Sequence, residues 1–255
     1  MNKTSILALS RVCKNFGGLI AVDDLSLKVS SGQICGLIGP NGGGKTTVFN
    51  MITGVYPCLR GSIHLEDVDI RSMKSYRITR LGIARTFQTI RLFPNLSTLE
   101  HVLIGQNFLA RSRIGGFPSL GRTDKINLRG QAEEILNLLG IWEVRHRKAI
   151  TLPYGSQRKV EIARALATRP KLLLLDEPTA GMNIRETEEL LKIISKIRGL
   201  GNTILVIEHD MKFVMGICDY IFVLNFGKKI AEGTPEEISQ NKRVIRPILG
   251  GRINC

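Results

Sequence analysis

The sequence predicts an α/β protein built on a parallel sheet, and three observations carry that expectation. Short, continuous apolar runs at 34–38, 172–175, 203–207 and 220–224 have the character of strands covered on both faces. Helical patterns at 45–53, 154–168 and 184–198 alternate with them, as βαβ units require. The first apolar run stops at a glycine-rich turn that opens the first helix. Ahead of this core, alternation at 6–9 and 25–29 predicts short half-exposed strands. Residues 92–151 differ. Ala132, Ile135, Leu136 and Leu139 recur with helical spacing, and 111–121 is a loop rich in Gly, Ser and Arg. The expectation is a single domain in which 1–91 and 152–255 form the α/β core and 92–151 form an inserted helical lobe.

Composition excludes several classes. The 255 residues are 43% hydrophobic and 23% charged, a folded rather than disordered balance. No stretch approaches the ~20 apolar residues of a spanning helix. Cys13, Cys35, Cys58, Cys218 and Cys255 are scattered without a C-x-x-C pair, which argues against zinc and fits a reducing cytosol. The N-terminus shows no basic-then-apolar leader pattern. The net charge of +14 is concentrated: residues 71–160 hold 16 Lys+Arg and five acids. Between residues 71 and 91 there are six basic residues and no acid. Such a stretch is either a solvated surface or one that faces phosphates, lipid headgroups or an acidic partner.

Gly39-Pro40-Asn41-Gly42-Gly43-Gly44-Lys45-Thr46-Thr47 fits G-x-x-x-x-G-K-[ST] between a buried strand and a helix, the context that motif needs. Glycines let backbone N–H groups approach phosphate oxygens without a Cβ in the way. The helix start adds the positive end of its dipole. Lys45 brings a charge for the β and γ phosphates, and the Thr46 hydroxyl can ligate Mg²⁺. The apolar run 172–175 ends in Asp176 and Glu177. In phosphate-loop NTPases an Asp so placed supports Mg²⁺. A carboxylate one residue on is a candidate general base for water attacking the γ-phosphate.

A third element, Leu152-Pro153-Tyr154-Gly155-Ser156-Gln157-Arg158, resembles the signature sequence of ABC-transporter ATPases, a glycine turn opening a helix. Other elements of that family match in order. Gln88 in Arg85-Thr86-Phe87-Gln88 resembles the Q-loop glutamine, and Ala180-Gly181-Met182-Asn183 resembles the D-loop. His209 resembles the switch histidine, and Phe16 before Gly17-Gly18 resembles the aromatic that stacks on adenine. The resemblance implies an ATPase with a phosphate-loop, RecA-like core, an N-terminal antiparallel β subdomain and an α-helical lobe. It implies ATP and Mg²⁺ as ligands, with Thr46, Gln88 and Asp176 around the metal and Glu177 and His209 as the catalytic pair. It also implies a head-to-tail dimer with a second ABC ATPase, in which Tyr154, Gly155 and Ser156 cover the partner's ATP. Closure would be passed to membrane permease subunits through Gln88 and the helical lobe.

Two departures stand out. Pro153 replaces the signature serine and Ser156 the signature glutamine, so one side-chain donor to the partner's γ-phosphate is lost. The D-loop ends in Asn183 rather than aspartate, removing a negative charge near the dimer seam.

Tyr154-Gly155, Arg85-Thr86-Phe87-Gln88-Thr89-Ile90-Arg91-Leu92-Phe93, the 207–219 segment and Gly233-Thr234-Pro235-Glu236-Glu237-Ile238 are similar to the high-affinity branched-chain amino acid transport ATP-binding proteins. So is Val244-Ile245-Arg246-Pro247-Ile248-Leu249-Gly250. That group implies an importer with an extracytoplasmic solute-binding protein and an ATPase on the cytoplasmic face of the membrane. Urea and short-amide importers share much of the pattern, and the lipopolysaccharide-export ATPase is a more distant relative. A non-transport ABC ATPase acting on nucleic acid is the competing class. Such proteins usually carry two ATPase halves or a coiled-coil insertion. This chain has one set of motifs, and few aromatics accompany its basic stretch to stack bases; no nucleic-acid partner is expected. Neutralising Arg71, Lys74, Arg77 and Arg80 together should weaken permease or membrane association more than ATP binding. Vesicle or permease co-sedimentation beside a nucleotide titration checks this, and equal losses would place the basic surface elsewhere.

Overall fold

The computed structural model describes residues 4–113, 122–242 and 244. Its centre is a six-stranded sheet of β3 (Ile34–Ile38), β6 (Ile83–Arg85), β7 (Leu172–Asp176), β8 (Thr203–Ile207), β9 (Tyr220–Asn225) and β10 (Lys228–Gly233). The order is β10-β9-β3-β8-β7-β6. All neighbours are parallel except the β9–β10 edge hairpin. Every residue of β3, β7 and β8 is buried, because both faces of the sheet are covered. Alternate side chains enter two separate cores, as the period-two pleat dictates. Leu172, Leu174, Leu205 and Ile207 join one, and Leu173, Leu175, Ile204 and Val206 the other.

The first core is roofed by a four-stranded antiparallel sheet of β1 (Ser5–Phe16), β2 (Leu19–Ser30), β4 (Arg60–Leu65) and β5 (Val68–Asp69), ordered β2-β1-β4-β5. β1 and β2 run 12 residues each, well beyond the expected short strands. They meet at a two-residue Gly17-Gly18 turn. Helix α1 (Lys45–Ile52) packs beneath through Val48, Phe49, Met51 and Ile52.

The second core holds α5 (Tyr154–Leu166), α6 (Ile184–Gly199) and α7 (Met211–Ile217). Helices α3 (Thr98–Arg113) and α4 (Arg122–Leu138) lie between β6 and α5 in the chain. Leu99 and Val102 of α3, with Ala132 and Leu136 of α4, join this same core. The expected 111–121 loop begins later than predicted, since 111–113 close α3; the rest lies outside the described residues. The 245–250 motif and Cys255 also lie outside them. Short helices α2 (Ser75–Leu81) and α8 (Pro235–Gln240), and strands β4, β5, β6 and β10, were not anticipated. They are short, so too few side chains repeat to reveal a period.

The segment entering α3 is pinned by a buried histidine. His101 Nε2 accepts from the Phe93 N–H at 2.9 Å, which puts the ring proton on Nδ1, facing the Ser97 carbonyl at 2.8 Å. Burial, aided by the nearby Arg164 charge, holds the imidazole below its ordinary range and therefore neutral. An unfolded chain takes up a proton below about pH 6.5 that the folded ring resists, so stability drains as pH falls through that range. The melting temperature should therefore drop on acidification from pH 7 to 5.5, and His101→Gln should flatten that slope. An unchanged slope in the variant would remove His101 as its source.

Candidate nucleotide site

The parallel strands deliver the site at their C-terminal ends, the edge where open α/β sheets bind ligands. β3 leads into the glycine loop, β7 ends at Asp176 and Glu177, β8 at Glu208 and His209, and β6 runs on to Gln88. In the loop, Gly39 and Gly44 have φ of 154° and 99°. A Cβ on either would overlap a backbone carbonyl, that of Leu224 or of Ala21, so only glycine fits. Gly44 caps α1 without any side-chain acceptor, leaving the first N–H groups of the helix to a ligand. Thr46 in that first turn is exposed, Thr47 is half-buried, and Asn41 and Gly42 face solvent. Lys45 is buried, and its Nζ donates to the carbonyls of Gly39 and Pro40 at 2.8 and 3.0 Å. Burial lowers its affinity for the proton, while Glu177 and Asp176 oppose that shift.

Asp176 is 1% exposed. One oxygen, Oδ2, is held by Arg85 Nη2 at 2.7 Å. The other, Oδ1, is buried with no hydrogen-bond partner among the described residues. Burial raises the carboxyl's proton affinity, and Arg85 pulls it back down. An orphaned carboxylate oxygen is a hard donor of the kind that suits a divalent cation such as Mg²⁺.

Glu177 leaves β7 with φ of 47°, a strained value for a residue with a Cβ. Its Oε2 accepts from Gln88 Nε2 at 2.8 Å and lies 4.0 Å from His209 Nδ1. The three residues predicted from 88, 177 and 209 thus converge on one carboxylate. Sequence reasoning missed what holds them. Glu208 is fully buried, and its Oε1 takes both the N–H and the hydroxyl of Thr179 at 2.9 and 2.5 Å. Its Oε2 takes the His209 N–H at 3.1 Å. Glu208 therefore staples the end of β8 to the turn that follows Glu177. The one available signal was an acid set directly after the apolar run 203–207.

Phe16 is 42% exposed, edge-on to Tyr56 at 5.1 Å, with Lys14 Nζ 5.2 Å from its ring centre. Lys14 pairs with Val22 across the hairpin, and Val22 lies against Gly44. Phe16 is therefore one member of an aromatic–cation cluster beside the loop, and Tyr56 and Lys14 were not foreseen.

A family model described as ABC transporter matches residues 22–180. The chain belongs to the ABC transporter ATP-binding family. It is an ATP-binding and ATP-hydrolysing cassette. A second model, described as Branched-chain amino acid ATP-binding cassette transporter, matches residues 228–246. LivG of Salmonella typhimurium, a high-affinity branched-chain amino acid transport ATP-binding protein, is 44% identical over 252 residues, 96% of this chain and 98% of that protein. BraF of Pseudomonas aeruginosa, which carries the same description, is 44% identical over 254 residues with the same coverage. The lipopolysaccharide export protein LptB of Escherichia coli is 35% identical over 244 residues, 96% of this chain and 97% of its own. Among solved structures, the ADP conformation of MJ1267, an ATP-binding cassette of an ABC transporter, matches with a TM-score of 0.84 at 31% identity. The match covers 96% of this chain and 99% of that one.

In this ABC cassette the signature and D-loop segments touch. The Tyr154 ring packs on Gly181, and Gly155 is buried so tightly on Glu186 that a Cβ would collide with its carboxylate. Ser156 is half-buried in the same first turn. Asn183 is the N-cap of α6: its side chain accepts from the Glu186 N–H at 3.0 Å, and the Glu186 carboxylate accepts from the Asn183 N–H at 3.0 Å. An amide caps as well as a carboxylate, so the helix stays capped with Asn183 in place of aspartate. Pro153 sits at the N-cap of α5 and offers no side-chain acceptor. Replacing it by serine supplies both a cap and a hydroxyl. Pro153→Ser should therefore raise the melting temperature and tighten ATP-driven dimerisation. Unchanged ATP affinity and turnover in that variant would show that the missing hydroxyl is immaterial.

Proposed function

We propose that the chain is the ATP-hydrolysing subunit of an importer for branched-chain amino acids, working at the cytoplasmic face of the membrane with permease subunits and a second ABC ATPase. The observation that carries the chemistry is the convergence of Gln88, Glu177 and His209 beside the Lys45 loop and the free oxygen of Asp176. The solute assignment is supported by 44% identity to LivG and BraF and by the match at 228–246. An extracytoplasmic solute-binding protein would complete the system. Among the described residues no helix is long and apolar enough to cross a membrane.

ATP phosphates would lie on the N–H groups of Gly42 to Thr47, with Lys45 exchanging its carbonyl contacts for phosphate oxygens. Thr46, Asp176 and Gln88 would hold Mg²⁺, which supplies charge neutralisation on the phosphates when bound. Glu177 would accept a proton from the attacking water, while Gln88 holds the carboxylate and His209 faces the γ-phosphate. Phe16 would support the adenine. The first turn of α5, with Tyr154, Gly155 and Ser156, would cover the nucleotide of the partner ATPase, and Asn183 would stand at the seam.

The 92–151 segment is read as a lobe that moves with α5. A cavity of about 620 Å³ lies away from the phosphate loop. It lies between α2 and α3, floored by Arg85 and Phe87 and walled by Ile78, Leu92 and Ile104. A permease segment would dock in this groove, directly behind Gln88. Lys74, Arg77 and Arg80 stand exposed on α2, with no carboxylate partner among the described residues.

Glu177→Gln should retain ATP binding and lower turnover by about 10²–10⁴-fold, the usual contribution of a general base. It should also accumulate a closed dimer with ATP and Mg²⁺, alone or with the paralogous ATPase. Gel filtration and phosphate release measure both. Turnover close to that of the parent would remove Glu177 from the role. Leucine-dependent stimulation of ATPase activity in proteoliposomes holding the whole system tests the solute, and stimulation by urea or a short amide instead would redirect it.

A further inference from the structure

The helix that begins at Tyr154 holds a charge with no catalytic assignment. Arg158, on α5, is fully buried. Its Nη1 donates to the Phe87 carbonyl at 2.5 Å and to Glu161 Oε2 at 2.8 Å. Its Nη2 donates to the Gln88 carbonyl at 2.7 Å and to the Tyr154 hydroxyl at 3.3 Å. Glu161 Oε1 accepts from the Phe87 N–H at 3.3 Å. One ion pair therefore binds three backbone groups of the 87–88 segment.

Such a pair is an expensive way to hold a fold. Desolvating two charges offsets most of their attraction, and an apolar pair of similar volume commonly serves stability as well. Here Arg158 Nε is buried without a partner, so even the saturation that favours buried pairs is incomplete. What the pair provides that an apolar contact does not is direction. It fixes the carbonyl of the residue whose side chain bonds Glu177 at 2.8 Å. The same guanidinium holds Tyr154, whose ring rests on Gly181.

We propose that Arg158 and Glu161 are positioning residues that register Gln88 on Glu177 and tie that contact to the first turn of α5. A shift of this turn would then reach the Glu177 carboxylate of the same subunit through three hydrogen bonds, Tyr154 to Arg158, Arg158 to Gln88 and Gln88 to Glu177. The proposal rests on reading Glu177 as the base, and it adds a cis connection between the half-site that covers a partner's nucleotide and the half-site that hydrolyses its own.

The test is a double-mutant cycle on the full chain, with Arg158→Met and Gln88→Ala alone and together. ATP turnover and the affinity of a fluorescent ATP analogue are measured for each. Arg158→Met should lower kcat by about tenfold with KM unchanged within about twofold, and should cost almost nothing further once Gln88 is alanine, because residues acting as a unit are non-additive. Losses that multiply across the two sites would overturn the proposal, as would a raised KM with kcat intact. If Arg158→Met does not melt cooperatively, Glu161→Gln takes its place in the cycle under the same criteria. Glu177→Gln is run in parallel. If it keeps full turnover, the base assignment fails, while the coupling between positions 158 and 88 is still decided by the cycle.

Discussion

The site depends on one constraint: a parallel sheet whose strands are buried on both faces must put its polar chemistry at the strand ends. β3, β7 and β8 have no exposed residue at which a functional side chain could stand mid-strand. Their C-terminal edge is where the backbone leaves the hydrophobic layers and unpaired polar groups reappear. Register does the rest. Asp176 lies opposite Ile207 across β7 and β8, so Glu177 and Glu208 emerge side by side. The Glu177 N–H then bonds the Ile207 carbonyl at 2.9 Å, and this junction is where Glu177 takes its positive φ.

Charge buried at this edge is held in pairs that leave one atom unused. Arg85 takes one oxygen of Asp176, the side chain of Asn50 and the flanks of Phe49 and Phe87, yet leaves Asp176 Oδ1 bare. A carboxylate fully saturated by arginine would be a structural strut. One left half-saturated retains capacity for a cation while its position is fixed. Arg85 also lines the groove behind Gln88, so Asp176 and the groove share a side chain.

The parts legible in the sequence were those with a long period or a spaced motif. β3 and β8 fall on the predicted residues, and β7 and β9 are each one longer than the run that announced them. The residues of the phosphate loop and of the acidic strand end were readable because residue type and context coincide there. Contacts between distant segments left no local trace. Nothing near Arg158 in sequence says that its acceptors lie 70 positions away, and Glu208 looks like any acid before a histidine. Asn183 shows the converse: a family pattern marks it as a missing charge, and its helix adds the role of a cap.

Six of the sixteen basic residues of 71–160, the five from 71 to 85 and Arg158, fall into three groups. Arg85 and Arg158 are buried in ion pairs and contribute no surface field. Arg71 is paired with Asp69 at the edge of the antiparallel sheet and bonds the Gly61 carbonyl, away from α2. Lys74, Arg77 and Arg80 are exposed, next in sequence to Ser75, Ile78 and Thr79, which line the groove. Cations beside a groove with apolar walls would select a partner by two criteria at once. Burial of the partner's apolar face supplies the affinity, and acidic or headgroup oxygens at the rim set orientation and encounter rate. A single-stranded nucleic acid would instead require exposed rings interleaved with the charges, and on α2 Tyr76 alone is available, already flanked by Arg77 and Arg80. The arrangement of these charges, more than their number, favours a protein segment at a membrane surface.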